Sequence, residues 1–210
     1  MKATLLPIAM AVALSAASSD ASAIDYSFSG TFTDDADVQL FDFSVGAEST
    51  VTLRTLSYAG GTNAAGTVIA RGGFDPILAL FDHSGFLIDQ NDDGGFRVRG
   101  DTITGAHWDT YLRTVLDPGD YTVSIMQYAN FARGPFLSNG FQGPYTTHFR
   151  DNAGNLRDGH WAFDLLNVNA AAAIAANSPA SVPEPGTWLV LAVGLGSLGL
   201  ARCRNTRKRI

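Results

Sequence analysis

Tyr111-Leu112-Arg113-Thr114-Val115-Leu116-Asp117-Pro118-Gly119-Asp120-Tyr121-Thr122-Val123-Ser124-Ile125 is the stretch that decides the fold class. Apolar and polar residues alternate on both sides of Asp117-Pro118-Gly119, and Tyr121, Val123 and Ile125 point one way. A period of two belongs to a half-buried strand, and Asp-Pro-Gly between two such runs predicts a turn. The pattern therefore predicts a hairpin of Asp109–Leu116 with Asp120–Tyr128. Further out the same grammar recurs. Tyr26–Phe32 is a short aromatic run, Val38–Val45 puts Phe41, Phe43 and Val45 on one face, and Thr50–Tyr58 turns Val51 and Leu53 inward. Pro76–Phe81 is continuously apolar, as in a buried strand, and Phe86–Gln90 follows it across the turn Asp82-His83-Ser84-Gly85. Trp161–Val168 closes the set. Eight such runs bounded by Gly, Asp and Pro predict an all-β sandwich or jelly roll. No helical period appears before the C-terminal segment. Ala59–Gly73 and Asn130–Gly159 take no assignment, and the latter is long for a structureless connection.

The two ends read differently. Lys2, the Ala-rich apolar stretch Leu5–Ala17 and the small residues Ala21-Ser22-Ala23 have the order of a signal peptide cleaved between Ala23 and Ile24. At the other end, Ser181-Val182-Pro183-Glu184-Pro185-Gly186 precedes an apolar run from Thr187 to Ala201 and then Arg202, Arg204, Arg207, Lys208 and Arg209. Pro183 and Pro185 lack amide donors and fix φ, so Val182–Pro185 is expected to be extended. Fifteen residues at 1.5 Å rise span roughly 22 Å, short of a ~30 Å hydrocarbon core, a deficit that snorkelling Arg and Lys side chains reduce. The cationic end is expected to stay cytoplasmic, leaving the residues before Pro183 outside. Box, apolar helix and Arg cluster together resemble a PEP-CTERM sorting signal. That resemblance implies a signal peptidase and a membrane-embedded exosortase as processing partners, and passage through a Gram-negative inner membrane. The expected organisation is a signal peptide at 1–23, a β-sandwich at 24–169, a linker at 170–180, and a sorting domain at 181–206 with one transmembrane helix at 187–201.

Between Ile24 and Ser178 there are 18 acids and 8 basic residues, all arginine, a net charge of −10. Such a body is expected to repel nucleic acid and anionic lipid and to attract divalent cations. The single cysteine of the chain, Cys203, lies beyond the apolar run, so the exported part is expected to have no disulfide. Stability must come from the core or from bound ions.

Phe41-Asp42-Phe43, Phe74-Asp75-Pro76-Ile77-Leu78-Ala79-Leu80-Phe81-Asp82, Gly85-Phe86-Leu87-Ile88-Asp89-Gln90-Asn91-Asp92-Asp93-Gly94 and Leu116-Asp117-Pro118-Gly119-Asp120-Tyr121-Thr122-Val123 carry a second resemblance. They are similar to bacterial pre-peptidase C-terminal domains, small β-sandwiches appended to exported proteins. With Gln127–Phe131 and Gly159–Asp164 the body looks closest to uncharacterised PEP-CTERM-anchored proteins built on that domain. No peptidase precedes the sandwich here, so an accessory role does not simply carry over.

The densest cluster of oxygen donors is Asp89-Gln90-Asn91-Asp92-Asp93-Gly94-Gly95. Asp89, Asn91, Asp92 and Asp93, with Asp75 from the preceding strand and Asp109 from the next, are the candidate ligands for Ca²⁺, which takes six to eight oxygens in flexible geometry. An acidic turn held by local backbone hydrogen bonds is the alternative. Phe131, Phe136, Phe141 and Tyr145, interleaved with Gly and Pro, either line a sugar-binding surface or form a small satellite core under the long loop. Asp82-His83-Ser84 holds triad residue types only as sequence neighbours, whose side chains diverge, and His107, His148 and His160 have no metal-ligand spacing. The expectation is a non-catalytic, exosortase-sorted protein of the cell surface or extracellular matrix, binding polysaccharide or protein. The alternative is a calcium-dependent accessory or inhibitor domain for a secreted hydrolase.

Overall fold

The computed structural model describes residues 22–143 and 147–175. Residues 1–21 of the expected signal peptide, Tyr145, the sorting box with Val182, Pro183, Glu184 and Pro185, and the helix expected at 187–201 lie outside the described residues. Among the described residues no helix is long and apolar enough to cross a membrane.

The body is all-β. Its strands are β1 (Ile24–Thr31), β2 (Val38–Val45), β3 (Ser49–Thr55), β4 (Gly61–Thr62), β5 (Val68–Ile69), β6 (Pro76–Asp82), β7 (Leu87–Asn91), β8 (Tyr111–Leu116), β9 (Gly119–Gln127), β10 (His160–Val168) and β11 (Ala170–Ala173). One sheet has the order β1-β10-β3-β8 and the other β11-β2-β9-β6-β7, while β4 and β5 form a separate two-stranded ribbon. All strand pairs are antiparallel.

The inward residues of both sheets meet in one core that includes Phe41, Phe43, Val51, Leu53, Leu78, Leu80, Val123, Ile125, Phe163 and Leu165. Phe41, Phe43, Val51, Leu53, Val123 and Ile125 are the alternating positions expected in β2, β3 and β9. Trp161 pairs across the sheet with Gly30, where an added Cβ would come within 2.5 Å of the indole. That glycine is the space the ring occupies.

The unbroken apolar run of β6 now has a cause. Leu78 and Leu80 face the main core, while Ile77, Ala79 and Phe81 join Met126 in a second core on the opposite face of the sheet. Tyr128, Phe131, Ala132, Leu137 and Phe141 cover it. The first part of the late segment without an assignment, Phe131–Phe141, therefore covers this second core, while Phe149 packs on the main one.

Two expectations change. Leu116 and Gly119 do end and begin strands, but β8 and β9 lie in different sheets: β8 pairs with β3, and β9 sits between β2 and β6. Asp117-Pro118 is an arch from sheet to sheet, tied by the Tyr121 hydroxyl donating to the Asp117 carbonyl at 2.8 Å. Alternation specifies which side chains face inward, and a hairpin and an arch satisfy it equally because both sheets face one core. The ladder decides instead, and β9 gains one on each side, from β2 and from β6. Second, Ala170–Ala173, read by composition as the start of a linker, pairs with Phe41–Ser44 as an edge strand.

Candidate functional site

The acids of this chain do much of their work inside it. Asp35, Asp75, Asp101, Asp109, Asp151 and Asp164 are all buried, and five of them hold loops by accepting hydrogen bonds. Asp35 accepts the amides of His148 and Phe149 at 2.7 and 2.6 Å; both residues have positive φ, so successive amides point at one carboxylate. Asp109 accepts from the Thr55 hydroxyl and from the amides of Tyr58 and Ala59, fixing the chain as it leaves β3. Asp164 accepts from the Arg54 guanidinium, the Ser27 hydroxyl and the Ala64 amide, tying the β4–β5 ribbon to the sheet.

The largest polar cluster centres on Arg157. Its guanidinium lies 3.6 Å from the centre of the Tyr58 ring and donates to the carbonyls of Gly73 and Tyr58. It also stands 3.6 Å from Asp101, which Arg71 grips with two nitrogens at 2.7 and 3.0 Å. Burial opposes ionisation of Asp101, but Arg71 and the amides of Thr104 and Ile103 outweigh it and hold the carboxyl below its usual range. The Tyr58 hydroxyl donates to Asp151 at 2.8 Å, and Asp151 in turn accepts the amides of Ala153 and Asn155. Burial pushes Asp151 up, yet the bonds from Asn155 and Tyr58 bring it below the ordinary value. Burial is also the main reason that the Tyr58 phenol rises to about 12. Each carboxylate is matched to donors, so this cluster joins four loops without a disulfide.

Asp75 is the exception. It is 5% exposed, its Oδ1 has no hydrogen-bond partner, and its pKa is pushed up to about 9, by burial first and then by the charges of Asp93, Asp92, Asp109 and Asp151. The other candidate calcium ligands are dispersed. Asp89 is exposed and its Oδ1 accepts the amide of Gln90; Asn91 donates to the carbonyls of Asp93 and Tyr111; Asp109 is committed to the β3 exit. Asp93 is raised by burial and by Asp92. Among the described residues no group of three or more His, Cys, Asp or Glu side chains is arranged to hold a metal ion. A cation beside Asp75 would therefore draw on main-chain oxygens and water as well as carboxylates.

Of the candidate ligand-binding aromatics, Phe131 and Phe141 pack onto the second core, and Phe136, 43% exposed, meets Phe86 edge-on with ring centres 5.6 Å apart. Asp82 accepts the amides of Ser84 and Phe86 and the Ser84 hydroxyl, the bonding of a turn and not of a relay. The contacts that join Asp101, Asp151 and Arg157 into one cluster had no sequence signal, because Arg71, Tyr58 and Gly73 lie 30 or more residues from them.

Comparison with known families bears on the C-terminus. Residues 181–208 match the model described as the PEP-CTERM protein-sorting motif. The chain carries a PEP-CTERM sorting signal. That motif implies processing by an exosortase and supports export with a membrane-anchored precursor. No curated protein matches the chain.

Proposed function

We propose that the chain is the precursor of a non-catalytic surface or matrix protein. Its β-sandwich, of the pre-peptidase C-terminal type, is delivered outside the cell and binds an envelope component there. The observation that carries this reading is the PEP-CTERM motif at 181–208 beside a body whose fold is finished before the motif begins. β1 starts at Ile24, so cleavage after Ala23 leaves every strand whole. At the other end the Ile174 amide bonds to the Leu40 carbonyl and the Gln39 side chain to the Ile174 carbonyl, closing the sandwich ahead of the box.

In a host with an active exosortase, intact-mass measurement of surface-released protein is expected to give an N-terminus at Ile24 and loss of the segment after the Pro-Glu-Pro box. Replacing Pro183, Glu184 and Pro185 by alanine lets a helix extend upstream and is expected to hold full-length precursor in the inner membrane. Unchanged release of that triple variant would refute the sorting role of the box.

A second reading, a calcium-dependent accessory or inhibitor domain, is favoured by the uncompensated Asp75 beside Asp92 and Asp93. It predicts stabilisation by Ca²⁺ and not by Mg²⁺. At 100 times Kd the gain is about 2.7 kcal/mol, a rise of several degrees in melting temperature. Asp92→Asn with Asp93→Asn removes the shift and the exposed Asp117→Asn leaves it. Equal shifts with both ions in all three proteins would leave the loop an acidic turn.

A further inference from the structure

Although the body is acidic, four of its eight arginines gather on one surface. Strand register places Arg54 of β3 opposite Tyr111 of β8, and Arg113 two residues beyond on the same face. Leu53 and Leu112 point the other way, into the core, so these side chains lie on the outer face of the sheet. The segment after β7 makes a short 3-10 turn at Gly95–Arg97 and lays Arg97 over the Tyr111 ring, 5.7 Å from its centre. Two hollows open here with Arg97 in the wall of both. One, of about 420 Å³, is lined by Arg97, Tyr111 and Arg113. The other, of about 310 Å³, runs between Arg54, the glycines at 60 and 61, and Arg97–Arg99.

The charges in this cleft are unequal. Arg54 is neutralised by Asp164, and Asp109, which also lines it, is buried with its oxygens turned to the β3 exit. Arg97, Arg99 and Arg113 are exposed, and among the described residues none of them takes part in an ion pair. Beside them Phe96 is 98% exposed, its ring standing edge-on to His107. An entirely exposed Phe flanked by unpaired arginines has no role in the core.

We propose that this cleft on the outer face of β3 and β8 binds an acidic polysaccharide, a uronate-type chain whose carboxylates meet Arg97, Arg99 and Arg113 while its sugar rings lie against Phe96 and Tyr111. The planar guanidinium matches a carboxylate through two parallel hydrogen bonds, and aromatic faces offer flat apolar area to the rings. Two open hollows that share Arg97 suit a chain better than a compact molecule. Double-stranded DNA, with one charge per about 1.7 Å, meets stronger repulsion from the −10 body than a chain bearing one carboxylate per sugar. This deepens the proposed function and rests on it for the location of the ligand.

The test uses the full chain in detergent, where the cationic tail is common to all variants. Polygalacturonate oligomers are expected to bind at low salt and release at high salt, with neutral dextran inert. Arg97→Gln with Arg113→Gln is expected to weaken binding about tenfold or more, and Phe96→Ser to weaken it at unchanged net charge. Arg133→Gln with Arg150→Gln, equal in charge removed, is expected to leave affinity within about twofold. Equal losses in the two double variants, or duplex DNA binding as tightly as polygalacturonate, overturns the proposal. Because binding is read on purified protein, its failure leaves the sorting experiment untouched, and failed processing leaves this one intact.

Discussion

Asp75→Asn is expected to raise stability, on the order of 4 kcal/mol at pH 7, or roughly 8–16 °C in melting temperature for a domain of this size. The group's pKa rises from the ordinary range to about 9 on folding, chiefly through burial and then through neighbouring carboxylates. A raised carboxyl binds its proton more tightly in the folded state than in the unfolded one. Between about pH 4, where the unfolded group ionises, and about pH 9, each pH unit then costs about 1.4 kcal/mol of wild-type stability. Below pH 4 both states hold the proton and the penalty vanishes. Asn is a neutral isostere without that linkage, so the two proteins are expected to melt alike at pH 4 and to diverge as pH rises. Thermal unfolding across pH 4 to 9 measures this directly. A constant difference at every pH would show that Asp75 is ionised in the fold. Calcium bound beside it would do the same, and would flatten the wild-type slope when added.

Arg157→Met is the substitution expected to be most damaging outside the apolar core, at about 3–5 kcal/mol. Its side chain is 3% exposed, and removal leaves the Gly73 carbonyl without its donor, the Tyr58 carbonyl with the Gly72 amide alone, and the Tyr58 ring without its cation. The methionine stem fills the space but supplies no hydrogen bond. Arg71→Met is the control: the same Asp101 loses a partner, but from a side chain 38% exposed, and the cost is expected at about 1 kcal/mol or less. Urea midpoints at constant slope give both values. Equal costs would mean that Asp101, and not the stacked guanidinium, is the element that matters. The group also has an acid limit. Asp101 and Asp151 have lowered carboxyls, so their contribution is present above their unfolded range near pH 4 and is lost as pH falls through the folded values.

Much of the architecture was legible because a sandwich is written at short range. Alternation in Val38–Val45, Thr50–Tyr58 and Asp120–Tyr128 named inward residues, and each of Phe41, Phe43, Val45, Val51, Leu53, Val123 and Ile125 is buried. Period two depends only on a residue and its near neighbours. The sorting box was legible for the same reason, since prolines, apolar run and arginines are contiguous. The candidate sites were less so. The Asp89–Asp93 run drew attention because its donors are adjacent, yet its side chains spread over both faces of a strand and its loop. Arg54, Arg97, Arg99 and Arg113 drew none, because nothing local joins residues of three separate segments.

The sequence by itself determined the class of fold, the inward face of each main strand, the export signal at the C-terminus and the absence of disulfides from the body. These follow from local periodicity, from contiguous motifs and from composition. The tertiary structure alone decided the partners: that Asp117-Pro118 crosses between sheets, that β6 is buried on both faces, that Ala170–Ala173 closes an edge, and that buried aspartates replace disulfides as loop staples. It also set apart one buried carboxyl oxygen without a donor and, among the described residues, three exposed arginines outside any ion pair. Pairing is a competition among segments far apart in the chain, settled by ladder length and by the burial each arrangement gains. A residue's charge is written in the sequence, and its partner is chosen by the fold.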